Sequence, residues 1–251
     1  MHIEIVQNYE ALSAKAASIV ISQLILKPDS VLGLATGSTP EGLYQHLIKK
    51  YKEGLFTFKD ATSFNLDEYL GLSPKHPNSY RYYMEEQLFK YIDIQTDNIH
   101  IPDGKATSSI EECLNYEDKI KKHGGIDLQI LGIGRNGHIG FNEPDVDFKK
   151  GTHVVKLDAQ TIEDNARFFD SLEEVPKEAI SMGIKTIMSS KKIILLASGP
   201  AKAQILYDTI YGKITPKVPA SVLQLHNDVT IICDEEAGAL LINKQMEEKH
   251  V

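Results

Sequence analysis

The stretch Leu131-Gly-Ile-Gly-Arg-Asn-Gly-His-Ile-Gly-Phe-Asn-Glu-Pro144 sets four glycines around a single His138, with Glu143 five residues further on. The run before it, Ile126-Asp-Leu-Gln-Ile-Leu131, reads as a buried strand. Glycines directly after a strand let the backbone turn sharply and come close to a bound molecule. A histidine there can exchange protons near neutrality, and a nearby carboxylate can fix its tautomer or share its protons. A strand running into such a loop points to an active-site edge of an α/β protein. Gly132, Gly134 and Gly137 also fit the dinucleotide pattern G-x-G-x-x-G. That pattern needs a helix to begin at its last glycine. Here Gly140 and Asn142-Glu143-Pro144 follow, and only Asp158 is available as an acid for the ribose. The nucleotide reading is set aside.

Outward from this segment, strand and helix alternate. Strands are expected at residues 3–6, 31–35, 62–66, 153–157, 192–197 and 229–233. Helices are expected at 9–26, 40–51, 79–91, 108–123, 177–188 and 201–211, with Ser109-x-x-Glu112 resembling a capping box. Such alternation implies a mostly parallel sheet with helices on both faces, whose ligands bind beyond the carboxyl ends of the strands.

At 251 residues, with no repeat, low-complexity run or linker, the chain is expected to form one domain over residues 1–251. The formal net charge of -8 argues against general affinity for nucleic acid or anionic membrane. An anionic substrate would therefore need specific local Lys and Arg residues. Cys113 and Cys233 are far apart, so neither a metal knuckle nor a disulfide framework is indicated, and a reducing cytoplasm is the simplest setting. No signal peptide is apparent, and no apolar run is expected to cross a bilayer.

Ala35-Thr-Gly-Ser-Thr-Pro40 follows a strand and leads into a helix. Thr36, Gly37, Ser38 and Thr39 would bring N–H groups and hydroxyls to a helix N-terminus, which suits a phosphate; an ordinary capped turn fits equally well. Ser198-Gly-Pro-Ala-Lys202 repeats the arrangement and places Lys202 in a first helical turn, where a cation is disfavoured unless it faces an anion. Arg167 is a second candidate cation, able to hold a phosphate with a bidentate fork. Asp67 and Glu68 interrupt a buried-looking run after the strand at 62–66. Consecutive residues on an extended chain face opposite sides, so one of the two, Asp67, is favoured as a general base. The remaining histidines lack ligand spacing, so no metal site is expected. Tyr80, Tyr82 and Tyr83 read as helix packing, with room for one to border the site.

Asn65-Leu-Asp-Glu-Tyr69, the segment 132–144, Asn165-Ala-Arg-Phe-Phe169 and Leu223-Gln-Leu-His226 resemble the glucosamine-6-phosphate deaminase family along essentially the whole chain. The resemblance implies a three-layer, modified Rossmann-like α/β sandwich shared with phosphogluconolactonases. It implies conversion of glucosamine 6-phosphate and water to fructose 6-phosphate and ammonia, without metal or organic cofactor. It also implies roles. Asp67 is the base between C2 and C1, and His138 opens the sugar ring with Glu143 as its carboxylate partner. Thr36, Gly37, Ser38, Thr39, Arg167 and Lys202 contact phosphate, and Glu68, Gly132 and Gly137 border the substrate.

Two departures stand out. Many family members carry aspartate where this chain has Asn136, which can orient His138 but cannot take its proton at neutral pH. Residues 145–153 lack the basic and hydroxyl pattern with which some hexameric members bind an activating acetylated sugar phosphate, so a non-allosteric enzyme is expected, as a monomer or homo-oligomer. The alternatives are another sugar-phosphate isomerase or lactonase on the same fold, or a sugar-phosphate sensor domain.

Overall fold

The computed structural model of the chain describes residues 1–157, 162, 163, 166, 169, 171 and 174–248. Seven strands form a wholly parallel sheet in the order β1 (His2–Val6), β10 (Val229–Asp234), β9 (Lys192–Ala197), β6 (Leu128–Gly132), β2 (Val31–Leu34), β3 (Thr62–Asn65) and β5 (Ile99–His100). Its inner strand β9 is a continuous apolar run, as burial on both faces demands: Ile193, Ile194, Leu195 and Leu196 are each at most 1% exposed. The chain steps from β2 to β3 to β5 on one side. It then returns to place β6 on the other side of β2, so the order reverses between β2 and β6. An open α/β sheet binds its ligand beyond the strand ends at such a reversal.

The helices bounded by described residues are α1 (Tyr9–Leu26), α2 (Glu41–Lys52), α3 (Tyr80–Gln87), α4 (Ser109–Lys122), α5 (Ile184–Met188), α6 (Ala203–Tyr211) and α7 (Ala239–Glu248). By length and composition α1 could cross a bilayer, against the expectation from sequence. Its Leu12, Ala16, Val20 and Leu24, four residues apart, are buried in the core, and the helix lies against α2 and β10. Burying each Leu or Val there contributes about 1.5–3 kcal/mol. Asn8 caps α1 by accepting the Ala11 N–H.

The largest departure from the expected order lies at 177–188. This stretch is not one helix but β8 (Glu178–Ser181) followed by the short α5. The spacing of Ile180, Ile184 and Ile187 resembles a helical face, but Gly183 is held extended at the break. A Cβ at Gly183 would lie 2.2 Å from the Gly151 carbonyl oxygen, so the chains touch there only because glycine has none. β8 is the centre of a separate antiparallel sheet with β4 (Asp67–Tyr69) and β7 (His153–Lys156). The N-cap of α4 is Ser108, not Ser109: its hydroxyl accepts the Glu111 N–H, while Glu112 accepts the N–H of Asp103. The expected helix at 79–91 ends at Gln87 and gives way to a 3₁₀ turn.

Candidate active site

Loops leaving the carboxyl ends of β2, β3, β6 and β9 enclose a cavity of about 450 Å³ at the strand-order reversal. That is room for a sugar phosphate. Thr36, Gly37, Ser38 and Thr39 line it from the first loop, Asp67 from the second, Gly132 and His138 from the third, and Lys202 from the fourth.

Asp67 follows β3 after a single residue and starts β4, where it lies opposite Ser181 of β8. The switch from the parallel sheet to the small antiparallel one is what turns its side chain into the cavity. It is 5% exposed, and no hydrogen-bond donor among the described residues reaches its carboxyl group. Burial, with a smaller contribution from the neighbouring Glu68 charge, pushes its pKa up to about 8. The next carboxylate is placed quite differently. Glu68 is 2% exposed and accepts the backbone N–H groups of Tyr69, Tyr80 and Arg81, each at 2.9 Å. Two of these are the first free N–H groups of α3, so Glu68 anchors that helix and does not line the cavity.

After β6 the chain makes a loop rather than a helix, with Gly137 at φ 87° and Gly140 at φ 58°. The ring of His138 folds back over Gly134, where a Cβ would sit 2.4 Å from its Nε2. Only glycine there leaves room for the imidazole. Its Nδ1 lies 3.2 Å from Glu143 Oε2. Asn136 joins the pair by donating its amide N–H to the same oxygen at 2.7 Å, while its carbonyl accepts the His138 backbone N–H. Asn136 and Glu143 thus support His138 from behind the cavity wall. Gly137 also stays off the lining, packed against Ile205 and Val218.

The β2 loop reaches α2 through Gly37 at φ 96°, and α2 begins at Glu41 after Pro40, which has no side-chain group to cap it. Ser198 and the Gly199 N–H, in contrast, are engaged by the Asp234 carboxylate, so the β9 loop does not repeat the β2 loop as the sequence suggests. Lys202, in a 3₁₀ turn before α6, is what that loop brings to the cavity, with Nζ donating to the Ile133 carbonyl. Arg167 and Asn165 lie outside the described residues. Among the described residues, no group of three or more His, Cys, Asp or Glu side chains could hold a metal ion.

Several lining residues escaped the sequence reading. Arg135 reaches the cavity from within the histidine loop, where its position beside the glycines was the available signal. Tyr69, Tyr80, Phe141 and Phe169 form an aromatic wall, with Tyr69 and Tyr80 ring centres 4.8 Å apart. Tyr80 is one of the three tyrosines that the sequence left able to border the site; no local pattern joins Tyr69, Phe141 and Phe169 to it. Ser181 accepts the Phe141 N–H at 2.9 Å and so ties the histidine loop to the strand opposite Asp67.

Residues 7–232 match the model of the family described as glucosamine-6-phosphate isomerases/6-phosphogluconolactonase. The chain belongs to that family. It is 56% identical to the glucosamine-6-phosphate deaminase of Thermoanaerobacter sp. (strain X514), over 100% of this chain and 99% of the relative. It is 58% identical to the one of Clostridium botulinum (strain Hall / ATCC 3502 / NCTC 13319 / Type A), over 96% and 99%. A solved family structure, described as a monomeric glucosamine-6-phosphate deaminase, superposes with a TM-score of 0.93 at 49% identity, covering 96% of this chain and 100% of that one. The 6-phosphogluconolactonase of Leishmania guyanensis shares the fold at a TM-score of 0.75 and 21% identity, over 94% and 97%.

Proposed function

We propose that this protein converts glucosamine 6-phosphate and water to fructose 6-phosphate and ammonia. The observation that carries the reading is Asp67: a buried carboxyl group without a donor among the described residues, opening on a cavity lined also by the carboxylate-backed imidazole of His138 and a hydroxyl-rich loop. The β2 loop, Lys202 and Arg167 hold the phosphate, and that remote binding orients the sugar. His138 moves a proton between the anomeric hydroxyl and the ring oxygen, with Glu143 fixing its tautomer through Nδ1. Asp67, ionised, takes the C2 hydrogen of the open chain and returns it at C1. The C2 imine so formed loses its nitrogen to water as ammonia, leaving the ketose. No step calls on a metal or organic cofactor.

The reading extends to a non-allosteric enzyme of the cytoplasm that works as a monomer, supported by the residues at 145–153 and by the monomeric relative. Assaying ammonia and fructose 6-phosphate from glucosamine 6-phosphate, beside hydrolysis of 6-phosphogluconolactone, tests it. Ammonia release with hyperbolic kinetics, unchanged by N-acetylglucosamine 6-phosphate, is expected. Lactone hydrolysis without ammonia release would reject it.

A further inference from the structure

The β2 loop has backbone acceptors as well as donors. A carbonyl turned toward a phosphate would oppose binding, so a loop serves an anion only if its N–H groups face the site and its carbonyls face away. Three tyrosines from three helices engage those carbonyls. Tyr44, fully buried in α2, donates to the Ala35 carbonyl at 2.5 Å. Tyr83 of α3 donates to the Gly37 carbonyl at 2.7 Å. Tyr9, the first residue of α1, shares its proton between the carbonyls of Ser38 at 2.9 Å and Thr39 at 3.1 Å. Its oxygen in turn accepts the Gly42 N–H at 2.8 Å, linking the tie to the start of α2. A Cβ on Gly42 would lie 2.3 Å from Ser13 Oγ and 3.1 Å from the Tyr9 ring, so glycine lets the start of α2 lie this close to α1. Burial raises the pKa of Tyr44 and of Tyr83, which keeps both phenols as donors.

We propose that Tyr9, Tyr44 and Tyr83 are positioning residues that hold the carbonyls of Ala35, Gly37, Ser38 and Thr39 turned back and leave the loop set for phosphate before substrate arrives. The inference rests on the reading of this loop as the phosphate site. Preorganisation of this kind acts on affinity, since the cost of ordering the loop is met during folding. Tyr9 and Tyr44 do not line the cavity, so their hydroxyls act through the loop alone, whereas Tyr83 also borders the cavity.

The test uses Tyr9→Phe, Tyr44→Phe and the double variant, each keeping the ring. KM for glucosamine 6-phosphate is expected to rise about three- to ten-fold in each single variant, the size of one lost hydrogen bond, and further in the double. kcat should stay within about two-fold, since the reacting end of the sugar is untouched. The dissociation constant of inorganic phosphate, measured by calorimetry, should rise in parallel with KM. Unchanged KM and phosphate affinity overturn the proposal whatever happens to the melting temperature, as does a fall in kcat at constant KM. Tyr9 is partly exposed at the start of α1, so its variant carries the test if Tyr44→Phe fails to fold. The phosphate measurement needs no turnover. Wild type that binds phosphate but releases no ammonia rejects the deaminase reading and leaves the tie to stand or fall on phosphate affinity. Wild type that binds no phosphate overturns the tie itself.

Discussion

Two aspartates of nearly equal solvent exposure sit at opposite ends of the parallel sheet. At the amino ends, Asp127 just before β6 is 4% exposed and receives Lys27 at 2.5 Å, Lys191 at 2.7 Å and the Val31 N–H at 2.8 Å. Burial works to raise its pKa, but hydrogen bonds from Lys191, Lys27 and Val31 outweigh it and hold the carboxyl group below its usual value. At the carboxyl ends, Asp67 is 5% exposed and has no donor among the described residues, so burial prevails and its pKa rises to about 8. Both side chains are shielded from solvent, but Asp67 lies deeper in the protein, so depth and partnership together separate the pair. A partnered acid joins the ends of α1, β2, β6 and β9, while an unpartnered one keeps its proton affinity for a substrate.

The contrast breaks most visibly at Asp67. Asp67→Asn should lower kcat by about 10²–10⁴-fold, the usual share of a general base, while inorganic phosphate binds as in wild type. Turnover within ten-fold of wild type would remove Asp67 from its role. The same variant should gain stability. Folded Asp67 keeps its proton to about pH 8, whereas an unfolded aspartate releases it near pH 4, so its contribution to stability falls as pH rises between those values. The gain in melting temperature from Asp67→Asn should therefore be larger at pH 8 than at pH 5. In activity, the rising limb of kcat/KM should have its midpoint near pH 8, where free-enzyme Asp67 ionises. A midpoint near pH 4 would assign the limb to an ordinary carboxylate.

Asp127 should respond with the opposite sign. Its lowered pKa gives stability that is fully present above the unfolded value and lost as pH falls through the folded one. Asp127→Ala should cost about 1–3 kcal/mol near neutrality, because the Val31 N–H loses its partner, and less at pH 3. Its kcat should be that of wild type, as read by urea unfolding and ammonia release on the same preparation. The smallest effect is expected at Asn136→Asp. A second carboxylate within hydrogen-bond distance of Glu143 should raise the proton affinity of the His138 relay and move its limb of the pH profile upward by about one unit. A profile that does not move would leave Asn136 a loop-building residue only.

Much of the site was legible in the primary structure, for stated reasons. Thr36 to Thr39, Gly132, His138 and Lys202 reach one cavity because each follows a strand of one parallel sheet, and alternation of strand and helix predicts that convergence. Asp67 and Glu68 had to diverge because an extended chain alternates its side chains. That Glu68 would anchor α3 was not legible, since the two donors from that helix, Tyr80 and Arg81, are made adjacent only by folding. The strand at 178–181 was missed for a related reason. Its short apolar run suits helix or strand, and its pairing with residues 67–69 and 153–156 decided the matter. Arg135, Tyr69, Phe141 and Phe169 were hidden because a cavity lining has no periodicity along the chain.

By itself the sequence determined the order of elements, the glycines that admit His138, and the acid, imidazole and hydroxyl groups from which the chemistry is made. Those are local properties: hydrophobic period, backbone freedom and side-chain inventory. The tertiary structure decided which groups were partnered. It gave Asp127 two lysines and Glu68 a helix end, left Asp67 without a donor among the described residues, and brought three distant phenols onto the carbonyls of one loop. A carboxyl group carries the same charge wherever it stands in a chain. Its proton affinity depends on the solvent it loses and the donors it meets, and both are fixed only when remote segments pack together.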